Sequence, residues 1–272
     1  MTCSHHFHGD ELGLDPPSLE LVGVTLGYPQ ETILPEVSLQ IPAGSLVAVI
    51  GPNGAGKSTF FKGLTGLLPP MQGSIAIHGL PLGHHRHCVT YVPQREEVDW
   101  RFPVTVWDVV MMGRHSHRSR FRAPSRQDRS QVMASLDQLG ILPLAQVRVG
   151  ELSGGQQQRV FLARALAQDP HIILMDEPFT GVDLATQEAM LTILHDLHQQ
   201  GITVLVSSHD LSLAATRFKT VLLLNRGVVG YGSPEAIFVP HLLRAGFGSQ
   251  AVILPNGGMI ASGGRDPDRL QG

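Results

Sequence analysis

One eight-residue segment limits the fold of this 272-residue chain more than any other feature. Residues 51–58 read GPNGAGKS and fit the pattern G-x-x-x-x-G-K-[ST], directly after the apolar run 46–50. Glycines at these positions let consecutive backbone N–H groups surround phosphate oxygens, and a helix starting at Lys57 adds the positive end of its dipole. We expect Lys57 to reach the β- and γ-phosphates of a nucleotide and the Ser58 hydroxyl to bind Mg²⁺. The segment therefore predicts a nucleotide-binding domain of the α/β class.

A second apolar run, residues 171–175, ends in the two acids Asp176 and Glu177. A buried strand fixes the position of its last residues, so Asp176 is expected to bind Mg²⁺ through a water. Glu177 is then expected to face the attacking water. Taken alone, Glu177 is equally well explained as a solvated loop acid. A phosphate-binding loop in the same domain favours the catalytic interpretation.

The composition excludes several classes of protein. A formal net charge of -3 argues against a basic nucleic-acid-binding surface, and two cysteines cannot build a disulfide framework. The apolar runs are of strand length, far short of the roughly 18 residues of a membrane-spanning helix. Residues 1–15 lack the apolar core of a signal peptide. We therefore expect a chain in a reducing, cytosolic compartment with no nucleic-acid partner.

The order of apolar patterns predicts an α/β fold with a mainly parallel sheet covered by helices. We expect a flexible leader over residues 1–17, a main domain over 18–255 with a helical region at about 95–168, and a flexible tail over 256–272. Strands are predicted at residues 19–25, 36–41, 45–50, 73–78, 88–92, 171–175, 202–207 and 220–225. Helices are predicted at residues 57–67, 104–113, 125–140, 156–168, 184–199 and 211–218.

Five further motifs follow in a fixed order. They are Tyr28, Gln94, the segment LSGGQ at 152–156, the segment GVD at 181–183 and His209. With the phosphate loop and the two acids, they resemble the ATP-binding cassette (ABC) ATPase family over roughly residues 19–247. The resemblance implies a P-loop NTPase (RecA-like) core with an antiparallel β-subdomain and an inserted α-helical signature subdomain.

The resemblance also implies roles for individual residues, with ATP and Mg²⁺ as cofactors. Glu177 and His209 are expected to be catalytic, although a histidine at a strand end is often structural and Asp210 could cap the next helix. The residues expected to bind ATP are Tyr28, Gly51, Pro52, Asn53, Gly54, Ala55, Gly56, Lys57, Ser58, Thr59 and Gln94. Mg²⁺ is expected on Ser58, Gln94 and Asp176. A second copy, bound head to tail, is expected to add Leu152, Ser153, Gly154, Gly155, Gln156 and Asp183 to the site.

Longer segments are similar to the ATPases of manganese, zinc or iron importers. These segments are residues 94–113, 151–164, 176–183 and 224–227. The similarity implies an integral membrane permease as partner and an extracytoplasmic metal-binding protein acting through it. It places the chain at the cytoplasmic face of the membrane, with manganese the favoured cargo and zinc or iron next. Residues 96–102 are expected to form a groove for a short permease helix.

Several alternatives remain open at this level. They are the ATPase of a chelated-iron or corrinoid importer, an ATPase of a lipid or drug exporter, and a non-transport ABC ATPase acting on DNA or the ribosome. Two histidine clusters could also bind a soft divalent ion, although neither has zinc-finger spacing. One cluster contains Cys3, His5, His6 and His8, and the other contains His84, His85, His87 and Cys88.

Overall fold

The computed structural model describes residues 18–83, 88–94, 99–117, 123–248, 251–253 and 259–261. The expected leader, the first histidine cluster and residues 84–87 of the second cluster lie outside these ranges. Strands are β1 (Leu19–Tyr28), β2 (Glu31–Ile41), β3 (Leu46–Ile50), β4 (Gln72–Ile77), β5 (Leu80–Pro81), β6 (Val89–Val92), β7 (Ile172–Met175), β8 (Thr203–Ser208), β9 (Thr220–Leu224), β10 (Val228–Gly232), β11 (Ala251–Ile253) and β12 (Met259–Ala261). Helices are α1 (Lys57–Leu64), α2 (Val106–Met112), α3 (Arg126–Gln138), α4 (Gly154–Leu166), α5 (Leu184–Gln199), α6 (Leu211–Arg217), α7 (Pro234–Ile237) and α8 (Pro240–Phe247).

The strands form two main sheets. The larger has the order β10-β9-β3-β8-β7-β6, and all its pairs are parallel except β9 with β10. The smaller has the order β2-β1-β4-β5 and is antiparallel. The parallel sheet carries the phosphate loop between β3 and α1, and β7 and β8 end at the same edge of the sheet. The predicted α/β class is therefore confirmed.

The continuous apolar strands of the parallel sheet separate two hydrophobic cores. Successive side chains of a strand point to opposite faces, so alternate residues enter different cores. In β3, Val47 and Val49 pack with α1 and the antiparallel sheet, while Ala48 and Ile50 pack with the helices of the other face. Because both faces are buried, these strands lack the alternating polar pattern of a half-exposed strand. The buried sheet holds the strand ends, and therefore the site, in place.

Three helices, α2, α3 and α4, contact one another and form the helical region. Each begins with a capping box, in which a Ser or Thr at the N-cap and a residue three positions later satisfy each other's backbone N–H groups. The N-cap residues are Thr105, Ser125 and Ser153, and their partners are Asp108, Asp128 and Gln156. These local signals explain why the predicted helices begin close to their true starts.

The predicted element ends differ from the structure in several places. The strands predicted at 19–25 and 36–41 are longer, because they pair through a hairpin closed at Tyr28 and Glu31. The helix predicted to reach residue 67 ends at Leu64, shortly before Gly66 in the left-handed region (φ 72°). The elements β10, α7 and α8 were not predicted. The strands β11 and β12 pair with each other in an antiparallel sheet, and the expected boundary at 255/256 lies outside the described residues. Among the described helices, none is long and apolar enough to cross a membrane.

Candidate nucleotide site

The phosphate loop follows β3 and ends at the N-cap of α1. Gly51 has no room for a side chain, because a Cβ there would lie 2.2 Å from the carbonyl oxygen of Leu224 on the neighbouring strand. Gly56 is the N-cap, with φ 98°, and a Cβ there would lie 2.8 Å from Cδ2 of Leu34. Two of the glycines are therefore required by close packing and by a left-handed backbone, in addition to any contact with phosphate.

Lys57 begins α1 and is 7% exposed. Its Nζ donates to the carbonyl oxygens of Gly51 at 2.8 Å and Pro52 at 3.3 Å, which keeps the ammonium group over the loop. Nζ also lies 3.7 Å from Oε1 of Glu177. Burial lowers the pKa of Lys57, and the nearby carboxylates of Glu177 and Asp176 oppose that shift. The loop thus holds a buried cation beside the two acids.

A cavity of about 260 Å³ lies on the phosphate loop and contains most of the residues predicted to bind ATP. Its lining includes one residue that was not predicted, Ile33 of β2. Tyr28 is not part of the lining; it is 45% exposed at the hairpin between β1 and β2. The predicted residues in the lining are Pro52, Asn53, Gly54, Ala55, Gly56, Lys57, Ser58, Thr59, Gln94 and Glu177. A larger cavity, of about 560 Å³, lies between the end of α1 and β4–β5 and contains none of them.

Asp176 follows β7 and is 1% exposed. Both of its carboxylate oxygens accept a hydrogen bond from a hydroxyl group. Ser207 Oγ donates to Oδ1 at 2.5 Å, and the Tyr91 hydroxyl donates to Oδ2 at 3.1 Å. Ser207 Oγ also accepts the backbone N–H of Glu177 at 2.8 Å. Sequence reasoning missed Tyr91 and Ser207; the available signal was a polar group within an otherwise apolar strand.

Glu177 lies between the phosphate loop and His209. Its φ of 45° is in the left-handed region, where a residue with a side chain is strained. Oε1 faces Lys57, whereas Oε2 lies 3.3 Å from Nδ1 of His209 and accepts a hydrogen bond from Thr180 Oγ1 at 3.2 Å. Glu177 lines both the loop cavity and a second cavity of about 170 Å³ that includes His209. The backbone turn thus directs one carboxylate between a lysine and a histidine.

Asp210, next to His209, has the structural role that the sequence left open. Its Oδ1 accepts the backbone N–H of Leu213 at 2.9 Å, so it caps α6. Asp210 is thus engaged at the helix start, whereas Nδ1 of His209 lies next to Glu177. His209 itself has a side chain that is 61% exposed.

The segments predicted to act in a second copy's site lie apart from the loop cavity of the same chain. Ser153 caps α4, and Asp183 caps α5 by accepting the N–H and the hydroxyl of Thr186, both at 2.9 Å. The hydrogen bonds from Thr186 hold the pKa of Asp183 below its usual range. A Cβ on Gly155 would lie 2.3 Å from Cγ2 of the same Thr186. Thr186, which sequence reasoning missed, thus joins the start of α4 to the start of α5.

Ser58, Gln94 and Asp176 offer a hydroxyl, an amide and a carboxylate oxygen. Mg²⁺ prefers hard oxygen ligands of this kind, so the donor set fits this ion. Ser58 and Gln94 line the loop cavity, and the buried Asp176 precedes Glu177 at its edge. Within the ranges described above, no group of three or more His, Cys, Asp or Glu side chains could hold a metal ion. The described member of the histidine clusters, Cys88, is buried.

Comparison with known proteins gives concordant matches. The family model described as ABC transporter matches residues 34–180. The manganese transport system ATP-binding protein MntB of Bacillus subtilis is 44% identical over 236 residues, which cover 87% of this chain and 94% of that protein. The zinc transport system ATP-binding protein TroB of Treponema pallidum is 41% identical over 249 residues, covering 91% and 94% respectively.

A solved structure gives the same result for the fold. It is an ABC transporter described as of the metal-chelate type, in an inward-facing conformation. It matches with a TM-score of 0.76 at 30% identity, over 90% of this chain and 95% of that chain. The family model spans more than half of the chain, and both relatives align over nearly their full length. The chain therefore belongs to the ABC transporter family, as an ATP-binding subunit with the ATPase activity characteristic of that family.

Proposed function

We propose that this chain hydrolyses ATP between two copies of itself and so energises the import of a divalent transition metal through a membrane permease. The observation that carries the catalytic part is the position of Glu177 between Lys57 and His209 at the edge of the phosphate-loop cavity. In this proposal residues 18–255 are the ATPase domain, and about 95–168 are its helical signature subdomain.

In the proposed reaction the phosphates of ATP lie in the loop, where backbone N–H groups, Lys57 and the start of α1 attract negative charge. Mg²⁺, held by Ser58, Gln94 and Asp176, would neutralise charge that develops on the phosphates. Glu177 accepts a proton from the attacking water, and His209 contacts the γ-phosphate and holds the water in line. Catalysis of this kind depends on positioning and electrostatics more than on covalent chemistry.

The second copy is proposed because the signature segment does not line the loop cavity of its own chain. Ser153 begins the 13-residue helix α4, whose free N–H groups and dipole suit a γ-phosphate. Leu184, next to Asp183, is 71% exposed. It adds an apolar side chain to the surface that is proposed to contact the second copy. The residues proposed to act on the partner's nucleotide are Leu152, Ser153, Gly154, Gly155, Gln156 and Asp183. Tyr28 is proposed to stack on adenine when ATP is bound.

The proposed cargo is manganese first, with zinc or iron next. Two relatives with more than 40% identity are named for manganese and zinc transport. The proposed permease contact is the segment of residues 96–102, in whose described part, residues 99–102, Phe102 is 62% exposed. This contact would place the chain at the cytoplasmic face of the membrane, with an extracytoplasmic metal-binding protein on the other side of the permease.

A second candidate is the import of a metal chelate. It is supported by the match to the solved transporter of the metal-chelate type. A relative named for chelated-iron transport, YfeB of Yersinia pestis, is 42% identical over 235 residues, just below the 44% of the manganese relative, so this candidate stands close behind the first.

Uptake of manganese, zinc, iron and an iron chelate, measured in parallel in cells lacking this protein, tests the proposal. We expect a selective loss of manganese uptake that the wild-type chain restores and Glu177→Gln does not. Glu188→Gln is the matched control, because Glu188 pairs with Arg217 on the surface away from the loop cavity. Loss of only chelate uptake would favour the second candidate. Normal uptake of every solute would refute metal import but not ATP hydrolysis.

A further inference from the structure

The register of the parallel sheet places two hydroxyl groups on the carboxylate of Asp176. Met175 pairs with Val206, so the next residues, Asp176 and Ser207, are direct neighbours at the ends of β7 and β8. Tyr91 pairs with Leu174, two residues before Asp176, which makes Tyr91 the diagonal neighbour on the same face. Ser207 Oγ reaches Oδ1 and the Tyr91 hydroxyl reaches Oδ2. The orientation of this carboxylate is therefore set from both sides.

Ser207 has a second contact in addition to Asp176. Its Oγ accepts the backbone N–H of Glu177. The backbone of Glu177 has a φ of 45°, and its own carboxylate lies between Lys57 and His209. Ser207 is fully buried, so loss of its hydroxyl leaves two buried polar groups without this partner. One hydroxyl thus holds both the carboxylate proposed to act on Mg²⁺ and the backbone that directs the proposed catalytic base.

We propose that Ser207 is a positioning residue that ties the Mg²⁺ carboxylate and the catalytic base into one arrangement, with Tyr91 as the second support of the carboxylate. This inference rests on the roles proposed above for Asp176 and Glu177. Loss of Ser207 frees Oδ1 of Asp176 and the N–H of Glu177 together, whereas loss of the Tyr91 hydroxyl frees Oδ2 of Asp176. Ser207 therefore affects both metal binding and the chemical step, and Tyr91 acts mainly on metal binding.

If Ser207 had only a structural role, its removal would lower the stability of the protein without changing metal binding. Removal of a buried hydroxyl with two hydrogen bonds lowers stability anywhere in the sheet. Thr203, at the other end of β8, supplies the matched control, because its hydroxyl accepts the N–H of Gly44 and donates to Ser18 Oγ. It is 1% exposed and lies outside the loop cavity. Thr203→Val and Ser207→Ala should both lower the melting temperature, but only Ser207→Ala should change the response to the metal.

The experiment uses the purified full chain with Mn²⁺ as a spectroscopic probe of the Mg²⁺ position. Electron paramagnetic resonance measures Mn²⁺ binding in the presence of a non-hydrolysable ATP analogue, and ATPase rates are measured against Mg²⁺ concentration. Hydrogen-bond partners of metal-binding carboxylates affect metal affinity by about 10–100-fold, so Ser207→Ala and Tyr91→Phe should each weaken Mn²⁺ binding by about tenfold or more. At saturating Mg²⁺, kcat should fall further in Ser207→Ala than in Tyr91→Phe. Ser207→Thr, which keeps the hydroxyl, should recover Mn²⁺ affinity.

The outcomes separate this inference from the proposed function. If Ser207→Ala binds Mn²⁺ as the wild type does and resembles Thr203→Val in every respect, the positioning role is refuted. If Tyr91→Phe lowers kcat as much as Ser207→Ala, the separation of the two roles is wrong. If the wild-type chain itself shows no nucleotide-dependent Mn²⁺ binding, the proposed Mg²⁺ site fails before any variant is compared.

Discussion

Replacing Asp128 with alanine should destabilise the protein by about 3–5 kcal/mol, because the change leaves the guanidinium of Arg114 buried without its partner. The two side chains are 9% (Arg114) and 7% (Asp128) exposed, and Arg114 Nε lies 3.0 Å from Asp128 Oδ1. Arg114 Nη1 also donates to the carbonyl oxygen of Ala167 at 2.8 Å. The pair therefore joins the segment before α3, the first turn of α3 and the residue after α4.

The pKa of Asp128 is lowered both by the capping box and by the pair with Arg114. Burial raises this pKa, but hydrogen bonds from Ser125 and the hydrogen bond and charge of Arg114 outweigh burial and lower it to about 2. Relative to the ordinary value of 3.8, the shift corresponds to about 2.5 kcal/mol. Because the folded-state pKa is the lower one, this stability is fully present above about pH 4 and is lost as the pH falls toward about 2.

Urea denaturation followed by circular dichroism measures the effect at pH 7. The matched control is Asp108→Ala, since Asp108 forms the same capping box at the start of α2 but is exposed, and no arginine within the described ranges pairs with it. Loss of the box alone should cost about 1 kcal/mol. A loss for Asp128→Ala no larger than for Asp108→Ala would refute the reasoning, as would a difference between the wild type and Asp128→Ala that does not shrink below pH 4.

Three further variants test the nucleotide site. Glu177→Gln should lower the ATPase rate by about 10²-fold or more with ATP binding retained, because an amide cannot accept the proton of water. Hydrolysis near the wild-type rate would show that Glu177 is not the base. Lys57→Ala should weaken nucleotide binding, measured by calorimetry, by about tenfold or more through the loss of a charged contact, and unchanged affinity would contradict the phosphate contact. Gly155→Ala should lower the melting temperature, because its Cβ would lie 2.3 Å from Thr186; an unchanged melting temperature would exclude that clash.

Features encoded in short segments could be predicted from the sequence. The phosphate loop depends on neighbouring residues, so its place between β3 and α1 was predicted correctly. The buried strands that precede Asp176 and His209 were also predicted correctly, because each is a short continuous apolar run. Capping boxes, each within four residues, stand at the starts of α2, α3 and α4 and are a further local signal of this kind. The edge strand β10 and the four-residue helix α7 were missed, because each is defined by packing against β9 more than by its own pattern, whereas α8 was missed although its sequence is amphipathic and begins with Pro240.

The sequence by itself determined the α/β class and the presence of a phosphate loop and two acids at a strand end. It also determined the relationship to the ABC family, because the family's motifs are short segments whose residues bind the nucleotide. Only the tertiary structure decided which side chains support them. Ile33 rather than Tyr28 lines the cavity, and Ser207 and Tyr91 hold Asp176. Such contacts depend on strand order and register, which bring together residues 31 and 85 positions apart in the chain.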